Sequence, residues 1–444
     1  MKPFAVIAAL LALCGATGAQ EQAPKFDAGQ FGTATILRPE GEAHGVVFLF
    51  SGADGWGDTE TSAAQLLQKA GAFVIETDLK SYTARLNADD GECLYLVSDI
   101  EAISYQLQRS AGTQTYRSPV LAGFGAGGGL VLSIAQQTPA ATVGRVVAVD
   151  PEPAPGFAKP LCGLDRAVPE VGVSNVEARF TSAATQAGRR LVAALIKTGV
   201  AIDADDSRET AIATLVGRIS QDVQTEPTGA GRLAAIPLVE LPASGSSDTL
   251  AVIYSGDGGW RDLDKTIAEN FQAHGIPTIG VDSLRYFWSK KTPAETASDL
   301  ALMIEAYSTR WGTKRVILIG YSFGADILPE TYNLLPAATK AAVRQISLLG
   351  FAAEGEFEIS VEGWLGGSGG DARPVLPQVE RIDPKLLQCF EGRDEDDSEC
   401  PKLKSLGAEV VTTEGGHHFD GDYDRLAGII LDGMKRRVPS GWSG

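Results

Sequence analysis

The sequence predicts an α/β protein of two tandem domains, each a mostly parallel sheet covered by helices. Three observations support this prediction. The chain has 444 residues, enough for two or three domains of roughly 100–200 residues each. Two distant segments repeat each other, and each half alternates apolar strand patterns with amphipathic helix patterns. That alternation is typical of a parallel sheet with helices on both faces.

The composition is that of a globular protein, with 44% apolar and 21% charged residues. The 38 basic and 56 acidic side chains give a net charge of −18. A surface this negative repels nucleic acid and anionic lipid at long range. Nucleic acid is therefore not an expected partner, and a cationic substrate or partner is mildly favoured.

Residues 1–19 are interpreted as a signal peptide for export. Lys2 precedes the apolar run Phe4–Leu13, and small residues follow up to Ala19, where cleavage is expected. The apolar run is too short to span a bilayer. A lipoprotein signal anchored at Cys14 is the alternative, which is disfavoured because leucine is a poor residue immediately before a lipidated cysteine.

Four cysteines remain after that cleavage, and an even number in an exported protein suggests disulfides. Of the three possible pairings, Cys93–Cys162 and Cys389–Cys400 are preferred because each pair lies within one predicted domain. The histidines and cysteines do not have the spacing of a zinc site. Neither a metal nor a cofactor is predicted.

The internal repeat has an offset of 204 residues. The segment VVFLFSGADGW at 46–56 matches LAVIYSGDGGW at 250–260, and identities continue without a gap as far as Tyr82 and Tyr286. A unit of this length is too large for a solenoid repeat and indicates a duplicated domain. The predicted divisions are a first domain at 20–225, a linker rich in proline and glycine at 226–244, and a second domain at 245–444.

The second half shows the order of elements more clearly than the first. One helix has a strong start, because Thr292 is a good N-cap and Pro293 suits the first helical position. The apolar patterns predict strands at 250–254, 277–281, 315–319, 386–390 and 408–412, and helices at 264–274 and 292–308.

The strand at 315–319 leads into GYSFG at Gly320–Gly324 and then into a helix pattern. This is G-x-S-x-G between a strand and a helix, the nucleophile elbow of an α/β-hydrolase. The turn lifts the Ser322 hydroxyl above the sheet, and the N–H of Phe323 points towards a developing oxyanion. Ser322 is the predicted nucleophile. The alternative, a tight turn that merely needs small residues, is disfavoured by the flanking strand and helix.

The first half has the same strand–turn–helix pattern around GFGAG at Gly123–Gly127, with Gly125 at the position of the nucleophile. Its histidine, His44, precedes the first strand of the repeat, whereas the base of this fold follows the nucleophile. We therefore predict two α/β-hydrolase-like domains, the first catalytically degenerate. Its expected role is binding, docking or stabilisation of its neighbour.

The general base is predicted in the loop after the strand at 408–412, which contains His417 and His418. A loop of the form G-x-x-H points to His418, and one of the form G-G-H points to His417. His418 is preferred, and His417 remains the alternative.

The acid that orients the base is predicted after the strand at 386–390, within the acidic run EGRDEDD. Glu395 is preferred because it stands three residues beyond Gly392, and Asp394 and Asp396 are alternatives. A solvated charged loop is the competing interpretation of most of the run. A Cys389–Cys400 disulfide would clamp this loop.

A second oxyanion donor is expected from the glycine-rich loop after the strand at 250–254, through the N–H of Asp257 or Gly258. A phosphate-binding loop is disfavoured because no lysine stands in the P-loop position. Trp260 is a candidate for substrate binding, with packing as the alternative because its counterpart persists in the first half.

The motifs YSGDGGW, GYSFGAD and GGHHFDGDY, in this order behind a signal peptide, resemble those of the bacterial AcvB/VirJ virulence proteins. The match covers about residues 245–440, and the degenerate upstream copy resembles the longer AcvB form. The resemblance implies a periplasmic α/β-hydrolase that cleaves lysyl-phosphatidylglycerol to lysine and phosphatidylglycerol. It also implies links to virulence and type IV secretion.

The resemblance implies an aminoacylated phospholipid at the periplasmic membrane surface as the substrate, with secretion-system components as further partners. An aminoacyl ester suits a serine nucleophile. The carboxylates expected to attract the two lysyl ammonium groups are Asp394–Asp397, Glu414, Asp420, Asp422 and Asp424. The alternatives are a periplasmic esterase or thioesterase with another substrate, and a non-enzymatic adaptor of a type IV secretion system.

Overall fold

The computed structural model describes residues 29–32, 35–89, 91–138, 142–162, 173, 175–195, 199–224, 231–244, 247–359 and 371–438. The predicted signal peptide, with Cys14, lies outside these residues. Within the described part, no helix is both long enough and apolar enough to cross a bilayer.

The first domain alternates strands and helices, as its sequence pattern predicts. Its described strands are β1 Thr35–Leu37, β2 Gly45–Phe50, β3 Ala72–Thr77, β4 Val120–Phe124, β5 Arg145–Val149, β6 Val176–Phe180 and β7 Ala201–Ala204. Its described helices are α1 Asp58–Lys69, α2 Leu79–Ala88, α3 Val97–Ser110, α4 Gly125–Gln137, α5 Gln186–Leu195 and α6 Arg208–Gln224.

The second domain repeats this order and adds short elements between its last strands. Its described strands are β8 Leu238–Leu241, β9 Thr249–Tyr254, β10 Thr278–Val281, β11 Arg315–Tyr321, β12 Val343–Leu349, β13 Glu354–Gly355, β14 Arg373–Pro374, β15 Leu387–Gly392 and β16 Glu409–Thr413. Its described helices are α7 Asp262–Ala273, α8 Ser283–Tyr286, α9 Pro293–Trp311, α10 Phe323–Asn333, α11 Ala337–Lys340, α12 Leu376–Val379, α13 Cys400–Leu406 and α14 Tyr423–Arg437.

The two main sheets have the same strand order. The first runs β1-β3-β2-β4-β5-β6-β7 and the second runs β8-β10-β9-β11-β12-β15-β16. In each sheet an antiparallel strand, β1 or β8, lies at one edge, and the other pairs are parallel. The predicted pair of mostly parallel α/β domains is confirmed.

Strand β8 lies in the segment predicted as a linker. It pairs with β10 from Leu238↔Val281 to Leu241↔Thr278, so the sheet of the second domain begins before residue 245. The prolines that suggested a linker, Pro237 and Pro242, flank this strand. Proline is tolerated beside an edge strand, where a missing N–H removes no ladder hydrogen bond. Residues 226–230 of the predicted linker lie outside the described part.

The second sheet is buried on both faces. On one face α7 and α14 pack over it, with Phe271 and Ile430 fully buried beside Ile253 and Ile319. On the other face α9 and α10 cover a second apolar cluster. These two layers hold the carboxyl ends of the parallel strands at one edge of the sheet, where ligands bind in open α/β sheets.

The two domains are joined through a shared aromatic cluster. Trp288 of the second domain is fully buried, and its indole N–H donates to the carbonyl of Thr113 at 2.9 Å. The ring of Tyr116 lies 4.9 Å from that of Trp288, and the Arg109 guanidinium lies 3.8 Å from the Trp288 ring centroid. Arg109, Thr113 and Tyr116 belong to the first domain, so the two domains bury apolar surface against each other.

Candidate active site

The nucleophile elbow connects β11 to α10. Ser322 has φ 51° and ψ −120°, a conformation that non-glycine residues rarely adopt outside functional sites. A Cβ at Gly320 would lie 2.3 Å from the Gly324 carbonyl oxygen, and one at Gly324 would lie 2.3 Å from the Tyr254 carbonyl oxygen. Both glycines are therefore required for the close approach of strand, helix and neighbouring loop.

Three side chains from three loops form one hydrogen-bonded path. The Ser322 Oγ lies 2.8 Å from His417 Nε2, and His417 Nδ1 lies 2.6 Å from Glu395 Oε1. The Glu395 side chain is 3% exposed, and its other oxygen accepts from the Gly392 N–H at 3.2 Å. This is the arrangement of nucleophile, base and orienting acid in serine hydrolases.

The environment of His417 favours its protonated form. The hydrogen bond with Glu395 raises the pKa of His417 above its usual 6.5, and the negative charges of Glu395, Asp397 and Asp326 add to this effect, whereas partial burial opposes it. A base that takes the serine proton becomes an imidazolium. Glu395 therefore stabilises the charge that develops on His417 during attack.

The preference for His418 as the base is corrected. His418 Nδ1 lies 2.7 Å from the Tyr321 hydroxyl, whereas the His417 ring makes the bond to Ser322. Burial lowers the pKa of His418, and the neighbouring His417 lowers it further. The two histidines lie in a tight turn closed by the Phe419 N–H donating to the Gly416 carbonyl at 2.8 Å. Spacing alone does not show which ring such a turn directs towards the elbow.

Among the candidate acids, Glu395 reaches the base. Asp394 and Asp396 are exposed, and the Asp394 backbone N–H donates to the Gly415 carbonyl at 2.9 Å. The Cys389–Cys400 disulfide joins β15 to α13, with Cα atoms 5.6 Å apart, and so encloses the loop that carries Glu395. The structure also contains the Cys93–Cys162 disulfide.

The loop after β9 lies against the nucleophile. A Cβ on Gly256 would be 3.6 Å from Ser322 Cβ. The Gly259 N–H donates to the Gly256 carbonyl at 3.1 Å, which makes Asp257 and Gly258 the central residues of a turn beside the serine. The N–H groups of this turn and of Phe323, at the start of α10, are therefore the candidate donors for an oxyanion.

The three residues predicted to bind substrate lie away from the cleft around Ser322. Trp260 is 3% exposed and packs under Gly280, where an added Cβ would lie 2.2 Å from the indole ring. Asp420 and Asp422 are exposed and form ion pairs with Arg425, and Asp422 also caps α14. Asp420 and Asp422 are close to the histidines in sequence, but neither lines the cleft, and both carboxylates are held by Arg425.

Gly350 is a site residue that sequence reasoning missed. It follows β12 with φ 63°, and a Cβ there would lie 2.8 Å from His417 Cε1. The signal available was a glycine directly after a strand that neighbours the elbow strand. Asp326 was missed as well: it is half-buried one helical turn after Ser322, and its Oδ1 accepts from the Ala352 N–H at 2.8 Å.

A cleft of about 700 Å³ opens at the serine and lies between the two domains. On the second domain it is lined by Asp257, Arg261, Ser322 and both histidines. The residues of the first domain that line it are Tyr95, Ser98, Glu101, Ala102 and Tyr105. Over the described residues, no group of three His, Cys, Asp or Glu side chains is arranged to hold a metal ion.

Residues 248–438 match the model of the family described as bacterial virulence protein (VirJ). A search of curated proteins found no match.

Solved structures that resemble part of the chain include esterases and a thioesterase. Est1E from Butyrivibrio proteoclasticus is 12% identical, covering 46% of this chain and 93% of its own, with a TM-score of 0.34. The type II thioesterase YbtT from the yersiniabactin pathway is 17% identical, covering 47% of this chain and 100% of its own, with a TM-score of 0.31. The esterase Pf2001 from Pyrococcus furiosus is 13% identical, covering 45% of this chain and 90% of its own, with a TM-score of 0.34.

Proposed function

We propose that the protein is a periplasmic serine hydrolase that cleaves lysyl-phosphatidylglycerol to lysine and phosphatidylglycerol, because residues 248–438 match the model of the VirJ family of bacterial virulence proteins. The observation that carries the hydrolase part is the hydrogen-bonded path from Glu395 through His417 to Ser322. The lipid substrate and the periplasmic location rest on the resemblance of the motifs to AcvB/VirJ proteins and on the signal-peptide pattern.

Acylation begins with attack of the Ser322 oxygen on the lysyl carbonyl carbon, while His417 Nε2 accepts the serine proton. The N–H groups of Phe323 and of the Asp257–Gly258 turn stabilise the negative charge on the carbonyl oxygen. His417 then protonates the glycerol oxygen as its bond to the acyl carbon breaks. Phosphatidylglycerol leaves, and lysine remains bound to Ser322 as an ester.

Deacylation uses the same residues in reverse. Water attacks the lysyl carbonyl, His417 accepts a proton from it, and the serine oxygen leaves and is reprotonated by His417. Glu395 stabilises the imidazolium in both steps. Lysine is released and the enzyme returns to its starting state.

The charge of the protein supports a cationic acyl group. Lysyl-phosphatidylglycerol has two ammonium groups and one phosphate, whereas the product lipid keeps only the phosphate. A protein with net charge −18 attracts the net positive lysyl-phosphatidylglycerol at long range and repels the net negative phosphatidylglycerol. At the cleft, Asp257 and Asp262 are carboxylate residues that take part in none of the ion pairs found among described residues.

The test is lysine release from vesicles that contain lysyl-phosphatidylglycerol, with wild-type protein and with Ser322→Ala. The proposal expects release by the wild type and its loss in the variant. Cleavage of p-nitrophenyl acetate is measured in parallel. Ser322-dependent cleavage of this simple ester without lysine release would replace the proposal with an esterase of another substrate, and inactivity on both would favour the adaptor alternative.

A further inference from the structure

The first domain reaches the catalytic centre of the second through helix α3. Ser98 and Ala102 are exposed on one face of α3, one helical turn apart. Both line the cleft that contains Ser322. Tyr95, just before this helix, lines it as well and is 43% exposed. The first domain therefore contributes an aromatic ring and one face of a helix to the cleft that contains the serine.

The backbone around Tyr95 is rigidly held. The Leu94 N–H donates to the Pro160 carbonyl at 2.9 Å, and its carbonyl accepts from the Cys162 N–H at 3.0 Å. The Gln137 side chain bonds to both neighbours of Tyr95, with Nε2 donating to the Leu94 carbonyl at 2.7 Å and Oε1 accepting from the Leu96 N–H at 3.3 Å. The Cys93–Cys162 disulfide closes the same segment. Rigid support of this kind is what a recognition residue requires.

Helix α3 is also fixed relative to the oxyanion loop. The Glu101 carboxylate forms an ion pair with the Arg261 guanidinium across the domain boundary, and it accepts from the Tyr105 hydroxyl at 3.0 Å. Arg261 Nε in turn donates to the Gly258 carbonyl at 2.8 Å. The wall formed by α3 therefore has a defined position with respect to Ser322.

We infer that the catalytically degenerate first domain selects the substrate, because Tyr95 and the Ser98–Ala102 face of α3 contact the part of the substrate beyond the scissile ester. This inference rests on the proposed function, because it takes the same aminoacyl phospholipid as the substrate. A small ester reaches Ser322 without filling the cleft. An aminoacyl phospholipid is larger and extends to the wall, with an ammonium group that the Tyr95 ring binds by a cation–π interaction.

The test compares a large substrate with a small one in variants of the wall. Ser98→Trp narrows the cleft at the wall formed by the first domain, and Tyr95→Ala removes the ring. For both variants, kcat/KM for lysyl-phosphatidylglycerol is expected to fall about tenfold or more, while kcat/KM for p-nitrophenyl acetate changes by less than about twofold. Tyr95→Phe keeps the ring and is expected to retain wild-type selectivity.

Leu66 provides a matched control. It belongs to the same domain, is also 43% exposed, and lies on α1, away from the residues that line the cleft. Leu66→Ala and Leu66→Trp are expected to leave both rates unchanged. Thermal unfolding of every variant separates loss of recognition from loss of folding.

The outcomes separate this inference from the proposed function. Equal losses on both esters, or no change on either, would overturn the role of the wall even if the wild type releases lysine. If the wild type releases no lysine, the same variants are measured on p-nitrophenyl esters from acetate to dodecanoate. A loss of kcat/KM that grows with acyl length in the wall variants would then support substrate recognition by the wall. An equal loss at every acyl length would overturn it.

Discussion

The elbows of the two domains have nearly the same backbone and opposite chemistry. Gly125 has φ 52° and Ser322 has φ 51°. A Cβ on Gly123 would lie 2.5 Å from Gly127 atoms, and one on Gly320 would lie 2.3 Å from Gly324. The strand-to-helix turn is thus preserved where the nucleophile is missing. Close packing of strand against helix is sufficient to retain such a turn.

The same comparison extends to the loops beside the elbow. The Ser51 hydroxyl accepts from the Leu79 N–H at 2.9 Å, and its counterpart Ser255 accepts from the Ser283 N–H at 2.9 Å. These serines connect neighbouring loops in both domains and have a structural role. Where Gly350 leaves room for His417, the first domain has Asp150, which accepts from the Thr181 N–H and hydroxyl at 2.7 Å. The first domain therefore has a structural carboxylate at the position where the second domain has the glycine that leaves room for its base.

The largest expected effect comes from making the second elbow chemically like the first. Ser322→Gly should lower kcat by about 10⁴-fold or more because the attacking oxygen is lost. The backbone already has a positive φ, so the thermal midpoint should not fall. The reciprocal Gly125→Ser should create no activity, since the first domain lacks a base. Measurable turnover by the double variant Gly125→Ser, Ser322→Gly would contradict this comparison.

The acid gives the next largest effect. Glu395→Gln should lower kcat by about 10³–10⁴-fold because the imidazolium loses its partner. It should also change the pH profile. Activity requires neutral His417, so it rises as pH passes through the pKa of His417, which Glu395 raises. Removal of the carboxylate lowers that pKa and should shift the acidic limb of kcat/KM to lower pH. Asp394→Asn is the control, and an unshifted limb in Glu395→Gln would contradict the assignment.

Gly350→Ala tests whether catalysis needs the space that Gly350 leaves beside His417. The added methyl would overlap His417 and displace its ring, and a displacement of about 1 Å costs about 10²-fold in rate. Gly312 provides the control, because it has φ 71° and open space around its Cα. Gly312→Ala should introduce the same backbone strain and leave kcat unchanged. Equal kinetics of the two variants would rule out the steric explanation.

Glu101→Gln tests the link between the domains. Without its charge, Arg261 loses its ion pair and holds the Gly258 carbonyl less firmly. We expect kcat to fall about tenfold on both lysyl-phosphatidylglycerol and p-nitrophenyl acetate, in contrast to the selective losses expected for Tyr95 and Ser98 variants. If the loss of kcat is fully explained by a lower melting temperature, the ion pair has only a structural role.

The smallest effect is expected for His418→Ala, which removes the partner of the Tyr321 hydroxyl but not the base. Its kcat should change by less than about tenfold, whereas His417→Ala should resemble Ser322→Ala. Steady-state kinetics of the two alanine variants decide between adjacent histidines. A larger loss in His418→Ala would reverse the assignment.

Local patterns predicted much of the fold and part of the site. Helix α9 begins at Pro293 with Thr292 as its cap, as expected, since capping depends on neighbouring residues. It continues to Trp311, beyond the predicted end at residue 308, and stops at Gly312 with positive φ. Strand β8 was missed, because an edge strand of four residues flanked by prolines resembles a linker until its partner strand is known.

By itself the sequence determined the duplicated α/β fold, the elbow with Ser322 and the two loops that carry the base and the acid. These depend on periodicity, glycine spacing and order along the chain, which are local properties. Only the tertiary structure decided that His417 rather than His418 faces the serine, that Glu395 is the carboxylate which reaches it, and that α3 of the first domain lines the cleft. Those choices depend on how the carboxyl ends of separate strands, and the two packed domains, meet in space. Nothing in the sequence around Tyr95 and Ser322 indicates that both residues line the same cleft.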